Sequence, residues 1–255
     1  MNQKSVKEKL KADEMVIAMM FQFVNPGLAE FLGHLGVDCL VIDGEHGAVD
    51  EAECENILRA CDLTGILPLM RIHYDMPLIQ RYLDMGFGGF HFVHVKSAEQ
   101  ARACVDAVKF RPSGNRGTGM TRTNTYGLAL DGWDKYAAQQ NEQTFIKISI
   151  EDLEGLEAIP EICKIPEVDV ITFGTGDLAN AMGIPGQRRH PKLIETVDQA
   201  FKVIRAAGKQ SGIPTFAGED LDEAYKRGAR FMSLMLSQVI AKGAKAWNIK
   251  QRITP

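Results

Sequence analysis

Long apolar runs are missing from this 255-residue chain. Every hydrophobic stretch breaks off before the roughly 20 residues that cross a bilayer, which excludes a transmembrane helix. No block of basic residues occurs, and a formal net charge of −4 gives no reason to expect a nucleic-acid partner. Cys-x-x-Cys is absent too. Cys39, Cys54, Cys61, Cys104 and Cys163 are odd in number and sit in apolar patterns, the pattern of reduced core residues in a cytoplasmic protein. The leading segment carries Lys4, Lys7, Lys9 and Lys11 among acids, an amphipathic helix without the apolar core or cleavage site of a signal peptide. No linker or shift in composition divides residues 1–255, so one domain is expected. What remains is ordinary globular material, 45% hydrophobic and 24% charged.

Within it, short apolar runs alternate with helical periodicity. Strands are predicted at Met15–Val24, Cys39–Ile42, Leu67–Ile72, Gly89–Val95, Phe145–Ile150, Val168–Phe173, Pro214–Ala217 and Phe231–Leu236. Helical patterns follow them at Leu28–Leu35, Asp50–Leu63, Pro77–Met85, from Ser97, at Leu153–Cys163, Leu178–Met182, Pro191–Ala207, Leu221–Arg227 and Val239–Ile249. The rhythm lapses between Arg111 and Gln143, where a Gly-rich, polar stretch precedes a helix at Asp131–Gln140; a loop of that length is functional or mobile. Eight strand–helix units predict an α/β fold, a (β/α)8 TIM barrel with an additional N-terminal helix. A doubly wound sheet is the runner-up, weakened because no Gly-x-Gly-x-x-Gly follows the first strand.

In a parallel barrel the strand C-termini open on one face, where this fold places its chemistry. Asp43, Glu45 and His46 end the second strand, Arg71 the third and Glu151 the fifth, and Asp177 lies just past the sixth. Glu151 and Asp177 across one cavity repel unless a cation lies between them, and hard Mg²⁺ or Mn²⁺ suits two carboxylates. The structural alternative is that each caps the helix after it. Arg71 offers a planar fork for the oxygens of a small anionic substrate, or an ion pair with a strand-end acid. His46 can act as a base near pH 7, or sit solvated in its loop. Asp84, at the end of a helix where an acid is disfavoured by the dipole, is a candidate to orient it.

The ordered motifs Asp43-Gly44-Glu45-His46, Arg71, Asp84-Met85-Gly86, Gly114-Asn115-Arg116-Gly117 and Gly174-Thr175-Gly176-Asp177-Leu178 resemble those of the metal-dependent class II pyruvate aldolases. That is the family of 4-hydroxy-2-oxoheptanedioate and 2-dehydro-3-deoxyglucarate aldolases, and the resemblance runs from about Val16 to Gly243. It implies a lyase that reversibly cleaves a 4-hydroxy-2-oxo acid to pyruvate, or a close 2-oxo acid, and an aldehyde. Glu151 and Asp177 would hold a divalent cation, Mg²⁺, Mn²⁺ or Co²⁺. Backbone N–H groups near Gly176 and Asp177 would hold the pyruvate carboxylate, and Arg71 the enolate oxygen. His46 paired with Asp84 would be the base, with Asp43 and Glu45 one layer back and Glu45 orienting waters. Assembly as a hexamer, a trimer of dimers that exchange C-terminal helices, is also implied.

No strand-end Lys is placed for a Schiff base, since Lys147 lies mid-strand, where Ile146 and Ile148 suggest a different facing, which favours a metal over an imine route. Several positions depart from the family pattern. Thr175 stands where Pro is usual, Ser149 replaces a Gln at the substrate floor, and Gly47-Ala48-Val49 replaces a more polar run. His91 and His94 replace apolar residues and Pro in the fourth strand; three apart, they point to opposite faces, so core packing is expected rather than a shared metal. Two rivals remain: a related pyruvate-enolate lyase with a different substrate, and a degenerate barrel that binds metal and 2-oxo acid without catalysis. A sugar-phosphate enzyme is disfavoured, since Ser237-Gln238-Val239 lacks a Gly-rich phosphate cradle.

Overall fold

The computed structural model describes residues 4–23, 25–128, 130–216 and 219–246. The leading helix α1 (Val6–Lys11) carries a capping box in which Ser5 and Glu8 satisfy each other's backbone N–H groups. Then come β1 (Val16–Phe21), α2 (Pro26–His34), β2 (Cys39–Asp43), α3 (Glu51–Thr64), β3 (Leu67–Ile72), α4 (Met76–Met85), β4 (Gly89–Phe92) and α5 (Ala98–Val108). The second half holds α6 (Trp133–Gln143), β5 (Phe145–Ile150), α7 (Leu153–Ile162), β6 (Val170–Phe173), α8 (Thr175–Ala181), α9 (Pro191–Ala206), β7 (Gln210–Thr215), α10 (Leu221–Arg227), β8 (Ala229–Met235) and α11 (Leu236–Ala246). All eight strands are parallel and close in chain order, β8 pairing with β1, as the alternating pattern predicts.

Alternation along each strand sorts its side chains. Leu40, Ile42, Ile146, Ile148 and Ile171 turn outward and pack with the helices, while Val16, Ala18, Cys39, Leu69, Phe145, Val170 and Phe231 fill the barrel interior. Burying each large side chain contributes about 1.5–3 kcal/mol. Above this plug the interior turns polar. Strand register sets Asp43 beside Arg71, Arg71 beside His91 and His91 beside Lys147, one row across four strands. The five cysteines are all unpaired and buried.

Among the boundaries that differ from expectation, three stand out. β4 stops at Phe92 because His94 takes a left-handed conformation, φ 54°. β7 starts early, at Gln210, through a polar, Gly-containing segment with an irregularity at Ser211/Gly212; it ends at Thr215, and Ala217 lies outside the described residues. α8 begins at Thr175, so Asp177 is in a helix rather than a loop. The expected ends at Val24 and at 247–249 also fall outside the described residues. The long segment after Arg111 contains a 3-10 turn at Arg122–Gly127 before α6. No described helix is long and apolar enough to cross a membrane.

Candidate active site

β2 ends in Asp43, whose buried carboxylate folds the following turn by accepting hydrogen bonds from Glu45 N at 3.3 Å and His46 N at 3.2 Å. The same carboxylate faces Arg71 Nη1 at 3.4 Å, so one acid both shapes the loop and orients the guanidinium from β3. Arg71 Nη2 pairs with Glu45, and Glu45 is the hub of the mouth. Its Oε1 lies 3.0 Å from His94 Nε2 and 3.5 Å from His73 Nε2, and its Oε2 lies 3.6 Å from His46 Nε2.

Glu151 follows β5 and is buried, yet neither carboxylate oxygen has a hydrogen-bond partner among the described residues. It does not cap α7; Asp152 does, accepting from Gly155 N at 2.8 Å. The capping alternative is therefore excluded for Glu151. His94 Nδ1 lies 3.5 Å from its Oε2. Glu151 also presses on Gly174, where an added Cβ would stand 2.6 Å from the carboxylate carbon. Three residues on, Asp177 is exposed in the first turn of α8, with no hydrogen bond or ion pair among the described residues. Gly176 adjoins it, and Ser149 is buried in the sheet beside Thr172.

Other expectations need correction. The structure does not bring Asp84 to His46 within this chain. Asp84 accepts from Gln80 Nε2 at 2.9 Å and Arg116 Nη2 at 3.2 Å, and the buried Arg116 supplies the positive charge that an acid at a helix C-terminus calls for. His94 is not a core residue; the left-handed turn lifts it to the mouth, between Glu45 and Glu151. Glu45 is at the centre of the contacts rather than one layer back. His91 does pack inside, with both ring nitrogens unpartnered, and burial, then Lys147 and Arg71, pushes its pKa well below the usual value. It is therefore neutral.

Lys147 faces the barrel interior, wholly buried, its Nζ 2.9 Å from Ser233 Oγ and 4.4 Å from the Phe231 ring centroid. Burial pushes its pKa down to about 7. The residue that sequence reasoning left unused is His73, two places beyond Arg71. Its signal was an imidazole just past an apolar strand that already ended in a cation.

The site thus gathers the buried acids Asp43 and Glu151 and the half-buried Glu45 around the Arg71 guanidinium, with three imidazoles at the rim. Such an excess of negative charge suits a cation, and Glu45, His73 and His94 place ligand atoms within 4.8 Å of one another.

Residues 17–239 match the profile of a family described as HpcH/HpaI aldolase/citrate lyase. The chain is 32% identical over 250 residues to 2-dehydro-3,6-dideoxy-6-sulfogluconate aldolase of Pseudomonas putida, covering 93% of this chain and 96% of that protein. It is 33% identical over 230 residues to 5-keto-4-deoxy-D-glucarate aldolase of Escherichia coli O157:H7, covering 89% and 88%. Among solved structures, the HpcH/HpaI aldolase from Desulfitobacterium hafniense DCB-2 superposes with a TM-score of 0.85 at 30% identity, covering 99% of this chain and 100% of that one.

Proposed function

The chain belongs to the HpcH/HpaI aldolase/citrate lyase family, and from that premise we propose that it reversibly cleaves a 4-hydroxy-2-oxo acid to pyruvate, or a close 2-oxo acid, and an aldehyde. It is a carbon–carbon lyase. The observation that carries the reading is Glu151, whose two buried, unbonded oxygens stand at the barrel mouth in the same cluster as Arg71 and Glu45.

Those orphaned oxygens fit a hard divalent cation, Mg²⁺, Mn²⁺ or Co²⁺, with the unpaired carboxylate of Asp177 as the second protein ligand. Such an ion, when bound, polarises the 2-oxo group so that negative charge can develop on its oxygen. This chain supplies the rest. Arg71, fixed by Asp43 and Glu45, stabilises the enolate oxygen as carbon–carbon cleavage leaves its charge there. Backbone N–H groups of Gly176 and Asp177 receive the substrate carboxylate, and Ser149 lies at the floor. His46 takes the proton from the 4-hydroxyl and returns one to the enolate carbon to give pyruvate, with Glu45, 3.6 Å away, rather than Asp84 beside the imidazole. Lys147 has no role as an imine-forming amine, since it is wholly enclosed by the barrel.

The test is exchange of pyruvate methyl protons for deuterium, followed by NMR. Wild type with Mn²⁺ or Mg²⁺ exchanges, chelator abolishes it, and Glu151→Gln and His46→Ala each slow it by about 100-fold or more. Pyruvate binding by calorimetry without any exchange in wild type would instead identify a degenerate binding barrel. The unpaired cysteines support a reducing, cytoplasmic setting. A homohexamer, a trimer of dimers, is the assembly proposed, to be measured by sedimentation velocity.

A further inference from the structure

We propose that Glu45, His73 and His94 form a second cation site, distinct from the Glu151–Asp177 carboxylates, that takes a borderline transition-metal ion such as Zn²⁺ or Co²⁺ in preference to Mg²⁺.

The first argument is distance. Two ligands that share one ion at about 2.0–2.2 Å stand about 3.0–3.5 Å apart at tetrahedral or octahedral angles. Glu45 Oε1 is 3.0 Å from His94 Nε2 and 3.5 Å from His73 Nε2, and the three ligand atoms lie within 4.8 Å of one another. The residues follow three adjacent strands, β2, β3 and β4, so the sheet fixes their separation. Both imidazoles aim the same nitrogen at the same oxygen, with ring planes 7° apart and centroids 5.1 Å apart.

The second argument is what lies behind His94. A metal-bound imidazole usually gives its other ring N–H to a carboxylate, which sets the tautomer and the ring orientation. A carboxylate stands on that side of His94, for Nδ1 lies 3.5 Å from Glu151 Oε2 without a hydrogen bond between them, while Nε2 faces Glu45. The third is backbone conformation. His94 occupies the left-handed region at φ 54°, disfavoured for a ring-bearing side chain and found mostly where function requires it. Without that turn the strand pattern would direct His94 elsewhere.

The donor set decides the ion. Two imidazole nitrogens and one carboxylate oxygen suit Zn²⁺, Co²⁺, Ni²⁺ or Fe²⁺, whereas Mg²⁺ favours oxygen. Charge agrees: Arg71 is paired with both Asp43 and Glu45, so a divalent ion beside Asp43, Glu45 and Glu151 lowers the excess of negative charge.

Chelator-treated full-length protein titrated with Co²⁺ and followed by visible absorption tests this, with Zn²⁺ affinity measured by competition. Wild type is expected to show d–d bands of nitrogen coordination that excess Mg²⁺ does not remove. His73→Ala and His94→Ala each lose the bands and weaken Zn²⁺ binding by about 100-fold or more, while Asp177→Asn, at an exposed carboxylate of the other site, keeps the bands. Unchanged circular dichroism and metal-free Tm establish that the variants, altered at partly exposed rings, remain folded. Absence of nitrogen-type bands in wild type, their persistence in both histidine variants, or their loss in Asp177→Asn overturns the proposal. Pyruvate exchange in the same samples reports on the aldolase reading separately, because Co²⁺ coordination at these three residues needs no 2-oxo acid.

Discussion

At Lys147 an amine is held where water cannot reach it, and burial, with a smaller push from Arg71 and against the opposing pull of Glu151, lowers its pKa from 10.5 to about 7. In the unfolded chain the amine stays protonated up to about 10.4. Between pH 7 and pH 10 unfolding therefore takes up a proton, and stability rises with pH, by at most about 1.4 kcal/mol per unit. Lys109, lowered to about 8 mainly by burial, adds to the same limb. Urea unfolding at pH 7, 8 and 9 should show this slope, and Lys147→Met should flatten part of it and raise stability at pH 7. Asp43, Glu45, His46, Arg71 and Glu151 were legible in the sequence because each interrupts or follows an apolar strand. His94 was not. Phe92-Val93-His94-Val95 reads as continuing strand, and no glycine announces the left-handed turn that reverses the side chain's direction.

Elements meet this site through backbone as much as through side chains. Gly174 lets the β6–α8 connection pass against Glu151, where an added Cβ would lie 2.7 Å from Oε2. Gly174→Ala should displace that carboxylate and weaken Mn²⁺ binding by about tenfold or more in calorimetry, as loss of a supporting contact does, with a smaller change in Tm. Gly89 has a different role, since a Cβ there would stand 2.0 Å from the Phe145 carbonyl oxygen on the neighbouring strand. Gly89→Ala should cost about 3 kcal/mol or more in urea unfolding, because backbone cannot yield as a flexible side chain can. Strand order and most element cores followed from apolar alternation and from caps such as Asp50 and Ser97. β7 was misplaced because Gln210-Ser211-Gly212 carries almost no apolar signal. Its place is dictated by the partner strands, which a local pattern does not contain.

For the molecule as a whole, the closing seam is the vulnerable part. Asp13 joins the first strand's approach to the last strand and to α9: Arg230 donates to both its carboxylate oxygens at 2.8 Å, Arg205 donates at 3.0 Å, and Tyr225 Oη bonds its carbonyl at 2.8 Å. Hydrogen bonding from Arg230, more than from Arg205, holds the Asp13 pKa below its usual value. Its stabilisation is therefore present above about pH 4 and is lost as pH falls through the lowered folded value. Asp13→Asn should lower stability at pH 7 by about 1–2 kcal/mol in urea unfolding, a figure reduced because the side chain is 48% exposed while Arg230 is buried.

The five thiols give the barrel a further property. Burial lifts those of Cys54, Cys61 and Cys104 to about 12, and none of the five is exposed. Alkylating reagents attack the thiolate, so they are shut out of the native molecule twice over, by access and by ionisation. The rate at which iodoacetamide labels this protein is then a clock for its opening, and any bound ligand that closes the barrel more firmly will slow that clock without touching a cysteine.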